Sequence, residues 1–216
     1  MKKILLLILA SIVVFGLFGC GETLPEDEML ITRAEELIPQ TEEFNRLFYI
    51  EGIPLKEGGK EENGYAPADE AGLAMYGITK ISEATNLMEG IWSKDYIEDF
   101  QKSTLISSVI DGNYIASYAY CYDKYDKSKN FIGVMVDVDG LPIQAGRVEY
   151  LYDTLYVKEK TEDTAILKLE VIVKDENGNQ KQTSLTVTLT KDNAGVWYLN
   201  SNTAVVYPKD SYPLPK

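Results

Sequence analysis

Residues 165–173, AILKLEVIV, and residues 183–190, TSLTVTLT, decide the fold of this chain. Apolar side chains occupy every second position in both stretches, which is the period of a strand with one buried face. Asn177-Gly178 lies between them, and this dipeptide is the strongest short signal for a β-hairpin. The two stretches therefore predict a pair of long antiparallel strands.

The segment DENGNQ between these strands also begins like a calcium-binding loop, with Asp175, Asn177 and Asn179 at alternate positions. A calcium loop needs glycine at its sixth position and a bidentate glutamate at its twelfth. Here Gly178 is fourth and Thr186 is twelfth. We therefore expect a turn and no metal, and the VDVDG segment that ends at Gly140 is interpreted in the same way.

Outward from this hairpin, the same alternation marks three more stretches, which are 113–122, 148–157 and 196–200. Before Ser103 the period is that of a helix, and Pro39 interrupts it. The first helical face holds Leu30, Ala34, Leu37, Thr41, Phe44 and Phe48; the second holds Ile81, Ala84, Met88 and Ile91. A third helix, capped by Ser93, follows at 94–102.

Helices followed by strands predict an α+β fold, with N-terminal helices to about residue 103 packed on a curved, mainly antiparallel β-sheet. Residues 51–72, rich in glycine, proline and charge, are expected to be a long connection. We divide the chain into 1–19, 20–28 and a single α+β domain at 29–216.

The N-terminus has the pattern of a secretory signal peptide. Lys2 and Lys3 are followed by an apolar stretch of fifteen residues and then by Gly19 and Cys20. A transmembrane helix is the alternative, but a span needs about 20 apolar residues. The motif Leu17-Phe18-Gly19-Cys20 resembles the lipobox of bacterial lipoproteins. That resemblance implies cleavage after residue 19, a diacylglycerol on Cys20 and an extracytoplasmic protein anchored to the cell membrane. The acidic segment at 20–28 is expected to be a tether.

Composition excludes several classes of function. Removing residues 1–19 leaves 197 residues with 19 basic and 34 acidic side chains, a net charge of −15. This charge argues against nucleic acid and favours a basic partner. The chain contains no histidine, which removes the serine and cysteine catalytic arrangements that depend on it. We expect no enzymatic activity, no cofactor and a monomer.

Two sources of catalysis remain to be weighed. Paired carboxylates hydrolyse glycosidic bonds, but no acidic pair here falls at a position that the periodicity marks as buried. Cys121 is the one free cysteine once Cys20 carries the lipid, and alternation places it with Ile115, Ser117 and Ala119 on an inward face. We therefore interpret Cys121 as a core thiol.

The opposite face of the strand at 113–122 is rich in tyrosine, and Tyr150, Tyr152 and Tyr156 repeat the pattern on a later strand. Cross-strand packing is one explanation. A binding platform is the other, because tyrosine is enriched in interface cores. The segment YDKYDKSKN continues this face into an acidic loop. Our candidates for partner binding are Tyr118, Tyr120, Tyr122, Asp123, Tyr125 and Asp126.

Two family resemblances add to these expectations. Trp92, Ser93, Tyr96 and Phe100, with a closing Trp197-x-Leu199 strand, resemble the nuclear-transport-factor-two-like superfamily, which implies a cone-shaped α+β fold. The segments RAEELIPQTEEFNRLFYIEG, ENGYAPAD and SKDYIEDF are similar to the bacterial DL-endopeptidase inhibitor family. That resemblance implies a secreted protein that blocks peptidases of the cell wall. The lipobox departs from the soluble members of the family.

Two functions from different classes follow. The first is a surface-tethered protein-binding or inhibitory module, with a basic cell-wall hydrolase as its partner. The second is a solute-binding lipoprotein whose pocket lies in the sheet concavity and is lined by tyrosines. A filled core with a projecting loop would favour the first, and an open pocket would favour the second.

Overall fold

The computed structural model of the protein describes residues 24–59, 64–104, 106–110, 113–118, 121–137, 147–174 and 178–205. Within these ranges, residues 102–118 and Asp137 are described by their backbone alone. The chain begins with helices and ends with strands, and the strands form two antiparallel sheets. The predicted α+β class is confirmed.

The first helical segment follows the predicted apolar face, since all six of its residues are at most 3% exposed. Helix α1, Asp27–Leu37, ends just before Pro39, which lacks the N–H and the space that a continuing helix needs. A 3-10 turn at Pro39–Thr41 comes next. It is followed by helix α2, Glu42–Asn45, and then by a π-helical turn at Arg46–Ile50. The predicted break at Pro39 is thus present.

The second helical segment contains three short helices. Helix α3, Glu70–Met75, is capped by the Asp69 carboxylate, which accepts a hydrogen bond from the Ala71 N–H at 3.1 Å. The predicted helical face around Ile81 is buried, but Ile81–Leu87 is a 3-10 helix rather than an α-helix. Helix α4, Lys94–Thr104, begins as predicted, with the Tyr96 N–H donating to Ser93 Oγ at 3.1 Å.

Two sheets are formed by nine strands in the described part of the chain. Sheet one has the order β1-β5-β4-β3-β2, and its strands are Tyr65–Pro67, Ile106–Ile110, Asn113–Tyr118, Cys121–Tyr125 and Phe131–Asp137, numbered β1 to β5 along the chain. Sheet two has the order β6-β7-β8-β9, and its strands are Arg147–Lys160, Thr164–Lys174, Gln180–Lys191 and Trp197–Leu199. The single curved sheet expected from the sequence is therefore divided.

Strand β7 supplies the centre of sheet two. Its odd-numbered residues from Ala165 to Val173 are at most 1% exposed, and its even-numbered residues are half-buried on the other face. Leu167 pairs with Val187 of β8. One continuous core joins this face to the helices and to Cys121, Val134 and Val136 of sheet one. Both sheets therefore share a single core.

Strand β6 contains a large bulge. The register against β7 shifts between Leu151 and Tyr156. Thr154 fills the break, because its Oγ1 donates to the Leu151 carbonyl at 2.6 Å and accepts from the Glu170 N–H at 2.8 Å. Such a bulge changes which face a side chain occupies. The simple alternation expected at 148–157 is therefore interrupted.

The prediction that residues 51–72 form a long connection is partly wrong. Strand β1 pairs with β5, with Ala66 opposite Val136, and Leu55 bridges Ala68. The Lys56 N–H donates to the Pro67 carbonyl at 2.9 Å. Pro67 argued against a strand in the sequence. However, β1 lies at the edge of the sheet, where proline is tolerated.

A buried polar cluster holds the chain after β9 against the helices. Thr41 Oγ1 and Thr203 Oγ1 are 2.7 Å apart, and Asn45 Nδ2 donates to both hydroxyls, at 3.1 and 2.8 Å. All three residues are at most 2% exposed. The turn after helix α1, helix α2 and the segment after β9 are therefore fixed to one another.

None of the helices in the described part of the chain is long and apolar enough to cross a membrane. Residues 1–23, which include the predicted signal peptide and Cys20, lie outside the described residues.

Candidate functional site

The β4–β5 hairpin contains most of the predicted binding residues. Its loop, 126–130, is closed by the Asp126 N–H, which donates to the Asn130 carbonyl at 2.9 Å. The pairing shifts between Lys124 and Tyr125, opposite Gly133, whose φ is 145°. Lys129 has a φ of 65°, in the left-handed region. The hairpin is thus an irregular one with a defined loop.

Asp123 lies in the core rather than at the surface. Its side chain is fully buried, and its two carboxylate oxygens accept hydrogen bonds from the Ile81 N–H at 2.7 Å and from the Ser82 N–H at 3.2 Å. These N–H groups begin the 3-10 helix and have no partner within it. Asp123 therefore joins β4 to that helix, which corrects its predicted role as a contact for a partner.

Asp126 is partly exposed at the loop, and its carboxylate accepts hydrogen bonds there. It accepts hydrogen bonds from the Asn130 side chain at 2.9 Å and from the Asn130 and Ser128 N–H groups, both at 2.8 Å. These bonds, the Asn130 side chain first, lower the pKa of Asp126. The carboxylate therefore shapes the loop, and its predicted role as an electrostatic contact stays a prediction.

The tyrosines of the predicted platform stand in different places. Tyr122 is half-buried, with its ring 5.1 Å from that of Tyr65, and Tyr125 packs edge-on against Phe131 at 5.9 Å. Tyr118 contributes its backbone to β3, and its side chain lies outside the described residues, as does all of Tyr120. Tyr125 and Phe131 thus pair at the base of the loop.

The side chains that project from the hairpin are basic and apolar. Lys127 and Lys129 are exposed, and Ile132 is 52% exposed. The Lys80 ammonium lies 5.2 Å from the centre of the Phe131 ring, which adds a further positive charge at the base. Asp123 is buried, and in the loop 126–130 the two lysines outnumber the single charged Asp126, so the loop has a net charge of +1 on an acidic protein.

The later tyrosines fill space rather than line a pocket. The Tyr150 hydroxyl donates to the Thr203 carbonyl at 3.2 Å, and burial raises its pKa. The Tyr152 ring is 5.9 Å from that of Tyr150, and burial raises its pKa to about 12. Tyr156, beyond the bulge, is 53% exposed. The three do not share one face, which removes support from these residues for the tyrosine-lined pocket of the alternative function.

A cleft of about 420 Å³ lies between helix α1 and strand β9. Arg33 holds its two sides together, because its Nε donates to the Trp197 carbonyl at 2.9 Å and its Nη1 donates to Glu36 at 3.0 Å. The residues that line the cleft are Glu26, Glu28, Met29, Thr32, Arg33, Glu36 and Trp197. No tyrosine is among them, and the patterns in the sequence did not predict this site.

The described residues contain no group of three histidine, cysteine, aspartate or glutamate side chains that could hold a metal ion. Cys121 is 1% exposed, as expected of a core thiol.

The inward position of Asp123 had a signal in the sequence, although its contact with the 3-10 helix did not. The alternation that places Cys121 inward also places Asp123 inward, two residues later. We assigned this carboxylate to the loop because of its charge. The cleft had no comparable signal, since α1 and Trp197 are far apart in the chain.

Comparisons of the chain with protein-family models, with curated proteins and with solved structures found no match. The two family resemblances therefore stay predictions.

Proposed function

We propose that this chain is a non-enzymatic lipoprotein of the bacterial cell surface that binds and restrains another protein through its β4–β5 hairpin. The partner that the sequence resemblance suggests is a peptidoglycan DL-endopeptidase. In this proposal Cys20 holds the protein to the outer face of the membrane, and the domain after the tether carries the binding surface.

The observation that carries the proposal is the way the hairpin is supported. Asp123 fixes β4 to the 3-10 helix from inside, and Asp126 fixes the loop through three hydrogen bonds. Supported loops on a rigid scaffold are typical of binding sites, because little conformational freedom is lost on association. The exposed Lys127, Lys129 and Ile132 are then the groups that contact the partner.

The charge of the loop changes what the partner must offer there. The sequence suggested an acidic loop and a basic partner, whereas the exposed charged side chains of the loop are lysines. The matching patch on the partner is therefore acidic, with an apolar site for Ile132. A partner that is basic elsewhere still agrees with the overall charge of the domain.

Two observations support a binding role over catalysis. The chain has no histidine, and Cys121 is buried in the core. The solute-binding alternative receives no support from Tyr150, because its hydroxyl is occupied by the Thr203 carbonyl.

The anchor is tested first. Mass spectrometry of the native N-terminus is expected to show a diacylglyceryl group on Cys20, and Cys20→Ala is expected to leave unprocessed precursor. A wild-type protein cleaved elsewhere and left unmodified would contradict the anchor, and the binding role would then be tested on a secreted chain.

The restraining role is tested with the full chain in detergent and a purified DL-endopeptidase of the same envelope. We expect the rate of peptidoglycan digestion to fall as the chain is added, and to recover when Lys127 and Lys129 are both changed to glutamate. A matched control changes Lys158 and Lys181 to glutamate, which alters the total charge equally. Digestion that is unaffected, with no measurable association, would contradict the proposal.

A further inference from the structure

We draw no further inference here: the strongest candidate, the outer face of sheet two with the exposed Tyr156 of β6 and the threonines of β8, Thr186, Thr188 and Thr190, is the solvent-facing side that antiparallel sheets commonly have, and nothing in the described part of the chain shows what covers it.

Discussion

The β7–β8 hairpin and the β4–β5 hairpin are built in opposite ways. The first pairs from Thr164 opposite Thr190 to Lys174 opposite Gln180 without a shift of register, and its buried face is apolar. The second shifts register at Lys124 and buries the carboxylate of Asp123. A regular hairpin needs only alternation and a turn, whereas an irregular one needs polar groups to hold it. The difference indicates that β7–β8 stabilises the fold and that β4–β5 presents a loop.

The largest loss of stability is expected from a substitution in the regular β7–β8 hairpin. Leu167→Ala removes a fully buried side chain from the centre of β7 and is expected to lower the free energy of unfolding by about 3 kcal/mol. Lys168→Ala, on the half-buried outer face, is the control and is expected to change it by less than about 0.5 kcal/mol. Urea unfolding followed by tryptophan fluorescence measures both, and equal losses would mean that β7 does not separate a core face from an outer face.

The next largest loss of stability is expected from a substitution in the irregular β4–β5 hairpin. Asp123→Ala leaves the Ile81 and Ser82 N–H groups without their acceptor and is expected to cost about 2 kcal/mol. Asp123→Asn keeps one acceptor oxygen and is expected to cost less. The same unfolding experiment compares the two. Wild-type stability in Asp123→Ala would contradict the role of this carboxylate as a support.

These two predictions show what the sequence could and could not reveal. Strand alternation and helical periodicity are local properties, so they were enough to predict β7, β8 and the buried face of α1. Alternation also predicted the inward position of Cys121. The carboxylate of Asp123 meets its partners 42 and 41 residues away, and no local pattern reports a contact between such distant segments.

The division into two sheets was hidden for the same reason. Which strands pair is decided by contacts along the whole chain, and β1 pairs with β5 although β2, β3 and β4 lie between them in the sequence. The bulge at Thr154 could not be predicted, because the segment VEYLYDTLYV has the alternating pattern of a regular strand. The cleft depends on Arg33 reaching Trp197, a contact 164 residues apart.

Substitutions in the turns of the two hairpins are expected to change the stability less. Gly178 has a φ of 80° and open space around the missing Cβ, so Gly178→Ala meets backbone strain alone and is expected to cost about 1 kcal/mol. Lys129→Gly relieves similar strain in the loop 126–130 and is expected to hold or raise stability. Thermal unfolding measures both. A stabilising Gly178→Ala would contradict the turn assigned from Asn177-Gly178.

The smallest effect is a pH dependence confined to the loop 126–130. Since the folded-state pKa of Asp126 lies below its ordinary value, the carboxylate supports the loop above that value, about 3.9. This support is lost as the pH falls through the lower folded-state pKa. We expect the amide resonances of Ser128 and Asn130 to shift in an NMR titration over that range while those of β7 do not. Asp126→Asn is the control and should remove the transition.

The measurement that tests the account most directly is the affinity of the full chain for the purified DL-endopeptidase, in low and in high salt, for three proteins. These are the wild type, Lys127→Ala with Lys129→Ala, and the control Lys158→Ala with Lys181→Ala. We predict that the loop variant binds at least about tenfold more weakly in low salt, that the difference shrinks as salt rises, and that the control binds like the wild type. A folded loop variant that binds as tightly as the wild type would contradict the assignment of the β4–β5 hairpin as the contact.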